Sequence, residues 1–481
     1  MWTRLTGCYY TRRPEPLNIG PPGSDLPGAQ PISSSKSSGI DSTIAQPTVI
    51  PPSEHGISDA DISGGALKVL EALTDAGHGA YLVGGGVRDL LLGLKPKDFD
   101  VATAATPETV RSLFRTCRLI GRRFRLAHVR MGREIIEVAT FRANSDASAG
   151  DPDHVRVDGR IVRDNVYGTL EEDAWRRDFT ANCLYYDHRA RTVIDFTGGY
   201  ADACGRRLRV IGRAAERYRE DPVRMLRAVR FAGKLGFDIE KDTSAAIHEL
   251  APLLEDMPPA RLYEEIFKLF MAGAARTNYE LLRRYGLFGH LFPETEACIE
   301  AEPAGLAAAL SGKALDSTDT RIASGRSVTP GFLFAALLWE PMLRDSEACI
   351  ARGMPPPHAW EAAGADVIER QIQHVSLPRR FSLMAREIWG LQPRLVNRRG
   401  PGAVSRLLAH PRFRAAYDFL LLRAESGEDV AEHARWWTRI QEVDDDERRS
   451  MLEDRRAPKR RRRRRRGRTA ARPQPTGQPA M

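Results

Sequence analysis

The spacing of apolar positions changes along the chain, and the changes divide it. Residues 1–57 show no apolar period. They hold nine Pro and the run Ser33-Ser34-Ser35-Lys36-Ser37-Ser38, so they cannot bury enough surface to offset the entropy of ordering them. This stretch reads as a disordered N-terminal tail. Order is expected from Asp59, because Ile62, Ala66, Leu67, Leu70 and Leu73 recur at helical spacing. Ala80-Tyr81-Leu82-Val83 reads as a strand, Gly84-Gly85-Gly86 as a turn and Val87–Leu92 as a short helix. Asp98–Ala102 and Glu134–Phe141 read as further strands. Between them, Thr106-Pro107-Glu108 places a capping side chain ahead of Pro at the first helical position. Residues 58–205 are therefore expected to form a mixed α/β unit. The polar, Gly-bearing stretch Ala143–Arg163 reads as a mobile loop within it.

From Glu216 the period becomes helical. Pro222–Leu235, Arg261–Ala272, Tyr279–Tyr285 and Gly331–Leu343 are predicted helices, with more to about Ile440. The Ala/Gly/Ser-rich residues 301–330 read as a surface excursion. The fold class is α+β, with all-helical regions at 206–275 and 276–454 and a disordered tail at 455–481.

Composition sharpens this outline. The chain has 481 residues, 72 Lys+Arg and 63 Asp+Glu, a formal net charge of +9. Twelve of the bases and none of the acids lie between Arg455 and Met481, so the rest of the chain carries −3. A near-neutral body thus ends in a basic tail, a generic phosphate-binding feature. No run approaches the ~18–20 apolar residues of a membrane span. The six Cys contain no C-x-x-C pair, which argues against structural zinc and disulfide frameworks and for a reducing, cytoplasmic setting. Arg4, Arg12 and Arg13 hint at a targeting peptide, but Glu15 intrudes and no amphipathic helix accompanies them.

Asp98 and Asp100 stand two apart in a predicted strand, so both carboxylates face one side. Paired carboxylates suit Mg²⁺, which completes its shell with water and substrate phosphates. On the next predicted strand Glu137 shares a face with Ile135, Ala139 and Phe141, and an acid on an apolar face needs a partner. A shared cation or an arginine would serve. Gly85 and Gly86 let backbone amides approach phosphate, and Arg88 adds a donor fork. His128 and His410 are expected to make structural hydrogen bonds. The cysteines and most of Phe413, Tyr417, Trp436 and Trp437 are expected in cores.

These residues resemble a known family. Leu82-Val83-Gly84-Gly85-Gly86-Val87-Arg88-Asp89, Asp98-Phe99-Asp100, Arg176-Arg177-Asp178-Phe179-Thr180 and Glu220-Asp221-Pro222-Val223-Arg224-Met225-Leu226-Arg227 follow the order of the class II nucleotidyltransferases. That family contains the tRNA CCA-adding enzymes and the bacterial poly(A) polymerases. The resemblance implies a polymerase-beta-type head followed by an all-α neck and body. It implies two Mg²⁺ held by Asp98, Asp100 and Glu137, with Asp178 counted among the catalytic acids. It also implies nucleotide contacts from Gly85, Gly86, Arg88, Arg176, Arg177, Asp178, Asp221, Arg224 and Arg227. Asp221 and Arg224, three apart on a helix, would read adenine or cytosine on the Watson–Crick edge, where an amino donor sits beside a ring acceptor. That pair alone does not separate poly(A) from CCA synthesis.

The stretch Leu119–Val129, the neck motif through Ala232 and Leu408–Asp418 resemble the poly(A) polymerase branch. The implied activity is template-independent addition of AMP from ATP to RNA 3′ ends, with pyrophosphate released. The alternatives are CCA addition from CTP and ATP, or a non-catalytic RNA-binding protein. RNA, ATP and RNA-decay proteins are the expected partners of a monomer. Arg460, Arg461, Arg462, Arg463, Arg464, Arg465 and Arg466 are expected to hold RNA. Two positions depart from the family pattern: Ala181 replaces a larger aliphatic, and Gly199-Tyr200-Ala201-Asp202-Ala203 is a loose version of a G-G-x-x-D-L segment.

Overall fold

A computed structural model describes residues 46–121, 125–143, 154–157, 160–164, 166–397 and 400–453. Residues 1–45 of the tail expected at 1–57 and the whole tail expected at 455–481, including Arg460–Arg466, lie outside the described residues, as do 122–124 in the motif at 119–129.

The first ten described strands are β1 (Thr48–Ile50), β2 (Ala80–Val83), β3 (Asp100–Thr103), β4 (Cys117–Ile120), β5 (Leu126–Met131), β6 (Glu134–Thr140), β7 (His154–Val157), β8 (Arg160–Asp164), β9 (Leu184–Asp187) and β10 (Thr192–Asp195). Eight of them form one sheet in the order β1-β10-β9-β2-β3-β6-β5-β4. Only β3 and β6 run parallel within it. Central β2 is apolar throughout, as a strand covered on both faces must be.

Around the sheet lie α1 (Pro52–His55), α2 (Gly64–Asp75), α3 (Gly85–Leu91), α4 (Pro107–Leu113), α5 (Leu170–Trp175) and α6 (Gly199–Cys204). The periodic residues Ala66, Leu70 and Leu73 are buried on α2, which packs on β2, β3 and β6. Thr106 caps α4 as expected, accepting from the Thr109 amide at 3.2 Å. The opposite face of the sheet carries a second core of Val83, Ala102, Phe141, Ala174, Cys183, Tyr185 and Ile211.

Two expectations for this region are corrected. Thr48–Ile50, inside the stretch read as a tail, is an edge strand on β10 with Ile50 buried. A three-residue strand between Pro47 and Pro51 is too short to show a period, and proline tolerates an edge position. Inside the expected loop at 143–163, β7 and β8 pair antiparallel.

The helical part begins with α7 (Ala214–Glu220), α8 (Val223–Leu235), α9 (Lys241–Leu250), α10 (Pro259–Phe270), α11 (Ala275–Arg284), α12 (Phe288–Leu291), α13 (Pro293–Ala301) and α14 (Leu306–Ala323). The surface excursion expected at 301–330 is instead largely α14, which buries Ala307, Leu310, Ser311, Gly312, Ala314, Leu315 and Ile322. Its small residues allow close approach to α11. Asp319 caps α11 by accepting the Ala275 and Arg276 amides at 2.8 and 3.0 Å, and a Cβ on Gly312 would collide with Arg276. Small residues give little hydrophobic contrast, which is why the pattern hid this helix. The helix expected at 331–343 is divided into Pro330–Leu337 and Trp339–Ala351.

The chain separates into two compact units at Trp389/Gly390. The second unit has its own core, which includes Leu391, Leu407, Phe413, Tyr417, Leu420, Trp437 and Ile440, with Trp436 partly buried against it. Core packing of these aromatics is thus the correct expectation. The cysteine expectation holds for Cys183, Cys298 and Cys349, whereas Cys204 is exposed. No described helix is long and apolar enough to cross a membrane.

Candidate active site

The site is assembled on the β2–α3 turn and the start of β3. Gly84 has φ 76° and ψ −137°, a conformation open essentially to glycine alone. It ends β2 so that Gly86 lies close to the Asp98 carbonyl. Asp100 is the first residue of β3, while Asp98 stands just before the strand, its side chain 73% exposed and 4.0 Å from Lys97 Nζ.

Strand register does the rest. Tyr185 of β9 pairs with Val83 of β2, Val83 with Asp100 of β3, and Asp100 with Glu137 of β6. These four residues form one row across the sheet, on the face of the second core. Protein flanks Asp100 on several sides although its oxygens reach solvent. That burial, then repulsion from Glu137 and Asp98, raises its pKa to about 6, with Arg177 pulling the other way.

Glu137 differs from expectation in one respect. Its end of the face is open: Ile135 is 56% exposed, whereas Phe141, farther along the same face, is buried in the second core. The carboxylate lies 3.4 Å from His128 Nε2, so a histidine rather than an apolar surround is its neighbour. Among the described residues no group of three or more His, Cys, Asp or Glu is arranged to hold a metal by itself. Asp98 and Asp100 offer two accessible carboxylates, which suits Mg²⁺ completed by water and phosphate.

The Arg176-Arg177-Asp178 motif follows α5. A capping box between Thr169 and Glu172 starts this helix. Asp173, one turn before the arginines, accepts from Arg176 Nε at 3.2 Å and Arg177 Nη2 at 2.8 Å. Asp178 lies between two arginines of α8: Arg224 Nε at 2.9 Å and Arg227 Nη2 at 2.7 Å. Burial pushes its carboxyl up, but Arg227 and Arg224 outweigh that and hold it below the usual range. Arg217 of α7 donates to the Arg176 and Arg177 carbonyls at 2.8 and 2.7 Å, tying the neck helix to the motif's backbone.

Asp221 and Arg224 are not on one helical ridge. Asp221 ends α7 in an extended conformation, and α8 begins only at Val223. Asp221 accepts from the Val223 amide at 3.3 Å and Arg261 Nη2 at 2.5 Å, while Arg224 is engaged by Asp178 and Glu220. Proline at 222 disfavours helical conformation in the residue before it, which breaks the assumed continuity. Arg88 departs further. It is 3% exposed and bonded to Asp89 and Asn182, so its fork ties the turn together rather than facing the cleft. The loose segment at 199–203 still does structural work, because Asp202 accepts from Thr180 Oγ1 at 2.7 Å. His410 makes the expected structural bond, to the Arg412 amide.

Sequence reasoning missed Asp173, Tyr185, Arg217 and Arg261. Asp173 alone carried a signal, lying three and four residues before two arginines on a helix. The others are joined to the site by tertiary packing.

Comparison with known proteins places the chain in a family. Three family models match: "Poly A polymerase head domain" over residues 80–209, "Probable RNA and SrmB- binding site of polymerase A" over 236–299, and "Polymerase A arginine-rich C-terminus" over 352–470. Poly(A) polymerase I of Escherichia coli O6:H1 is 48% identical over 417 residues, 85% of this chain and 90% of that protein. The Haemophilus influenzae enzyme of the same name is 47% identical over 82% and 88% of the two chains. A CCA-adding enzyme of Geobacillus kaustophilus is 40% identical but covers only 47% and 54%. Among solved structures, the Bacillus stearothermophilus CCA-adding enzyme in complex with CTP superposes with a TM-score of 0.51 at 28% identity, over 78% and 81%. Two domain models over the head and the arginine-rich C-terminus, with near-full-length matches approaching half identity, establish that this chain belongs to the poly(A) polymerase family of nucleotidyltransferases.

Proposed function

We propose that the cleft over Asp98, Asp100 and Glu137 transfers AMP from ATP to an RNA 3′ hydroxyl, with pyrophosphate leaving. The chain is a template-independent poly(A) polymerase by family; the assignment of individual residues is our reading. The in-register row that sets Asp100 beside Glu137, with Asp98 next to it, carries that reading.

Asp98 and Asp100 would hold Mg²⁺, since burial and the charges of Glu137 and Asp98 disfavour an ionised Asp100 and a cation would offset them. Bound there, the metal supplies acidification of the attacking hydroxyl and neutralisation of charge at the phosphate. In this reading Arg176 and Arg177 serve the phosphates and Asp178 the sugar. Base reading by Asp221 and Arg224 requires each to exchange a present partner, Arg261 and Asp178 respectively, for the Watson–Crick edge of adenine. Residues 236–299 are the proposed place for RNA and a protein partner, and Arg460–Arg466 a tether for RNA. A monomer in the cytoplasm, acting with RNA-decay proteins, completes the proposal.

Incubating the purified protein with RNA, Mg²⁺ and single nucleotides tests it. Long tails from ATP alone are expected. CTP-dependent addition of a short end would instead assign CCA synthesis, and no incorporation would remove the catalytic reading.

A further inference from the structure

We infer that Asp173 and Tyr185 are positioning residues for nucleotide transfer, which together hold the Arg177 guanidinium with one nitrogen facing the Gly84 turn beside Asp100. The inference rests on the proposed function of the cleft and adds two residues that touch neither substrate nor metal.

The three side chains form a closed set. Arg177 Nη2 and Nε donate to Asp173 Oδ2 at 2.8 and 3.2 Å, Nε also reaches the Tyr185 hydroxyl at 2.9 Å, and that hydroxyl donates to the same Oδ2 at 2.8 Å. The guanidinium carbon lies 5.2 Å from the Tyr185 ring centroid. Asp173 is 3% exposed and Tyr185 fully buried. Arg177 Nη1 makes no hydrogen bond among the described residues and lies 3.8 Å from where a Gly84 Cβ would stand. Gly84 follows Val83, the register partner of both Tyr185 and Asp100. Two strand spacings of about 4.8 Å therefore separate the anchor from the acid.

Burial alone would raise the Asp173 carboxyl. Arg177, Arg176 and the hydroxyl outweigh it and keep the group ionised. A buried ion pair is a poor stabilising device, because well-packed apolar residues often do as well. Here it serves another end. A free arginine side chain has many rotamers to lose, and this set removes that freedom at folding. The donor facing the turn is fixed before ATP arrives, as transition-state stabilisation requires.

The experiment is a double-mutant cycle on kcat/KM for ATP, with RNA in excess. Tyr185→Phe keeps the ring in the core and removes only the hydroxyl; Arg177→Lys keeps the charge and removes the fork. Y185F is expected to lose about 10- to 100-fold, the scale of one hydrogen bond to a charged group. In the R177K background the same change should cost less than about twofold, since the group it positions is gone. Melting curves check that the variants fold. Equal losses in both backgrounds would show a general core defect and overturn the inference, as would an unaffected Y185F variant of an active enzyme. A wild-type protein that makes no poly(A) would overturn the proposed function and this inference together.

Discussion

Replacing Asp100 by Asn should abolish turnover and, in the absence of metal, make the protein more stable. The carboxyl's pKa is about 6 in the folded protein against an ordinary 3.8, because burial and the charges of Glu137 and Asp98 disfavour its ionised form. The folded state then binds the proton more tightly than the unfolded state does. Stability is untouched below pH ~4, falls as the pH rises from there to 6, and stays reduced above it. A rise of that size would correspond to about 3 kcal/mol if nothing were screened. Asp100 reaches solvent, so about 1 kcal/mol is the working figure. In a unit of this size that is about 1–3 °C in melting temperature. Scanning calorimetry in EDTA should show the D100N variant melting higher at pH 7.5 and level with wild type near pH 4. Adding Mg²⁺ should raise wild type more than the variant. A variant that melts lower at pH 7.5, or a difference that does not change with pH, would refute the electrostatic account of the site.

Gly84→Ala should destabilise by about 2 kcal/mol and depress activity more than stability, because φ 76° with ψ −137° is strained for any side chain; a chemical denaturation curve overlying that of wild type would contradict it. Arg217→Ala removes the donor to both motif carbonyls and should cost about 2 kcal/mol while raising KM for ATP severalfold; an unchanged KM would separate the neck helix from nucleotide binding. Deleting Arg455–Met481 should weaken RNA binding and flatten its dependence on salt, by roughly 0.7 in log–log slope for each phosphate the tail neutralises. ATP selectivity should survive that deletion, and a switch to CTP would show that the tail does more than tether.

The parts of this fold that were legible in the sequence are those whose signal is local. The β2–turn–α3 unit shows as an apolar run broken by three glycines, α4 by its Thr106 cap, and α8 by its period. Asp100 was legible as a strand residue, but Asp98 lies before β3, so the two-residue period expected of the pair reaches only Asp100. What stayed hidden depends on partners far along the chain. The pairing of β1 with β10 joins Thr48 to Asp195, across the whole of the sheet's intervening sequence, and α14 hides behind alanines and serines whose role emerges only against α11. Arg88 shows the converse. A conspicuous charge in a phosphate-binding context is buried against Asn182, because the turn needs a tie more than the cleft needs another donor.

The row Tyr185–Val83–Asp100–Glu137 has a consequence for folding quality. Its members come from four separate segments, and a slip of one residue at any of the three strand pairings would turn a side chain to the opposite face. A sheet in the wrong register would therefore be silent rather than imprecise, unable to gather its acids at all. For an enzyme that extends RNA without a template to correct it, catalytic activity is then also a certificate of correct assembly, since misregistered molecules have no site with which to make faulty ends.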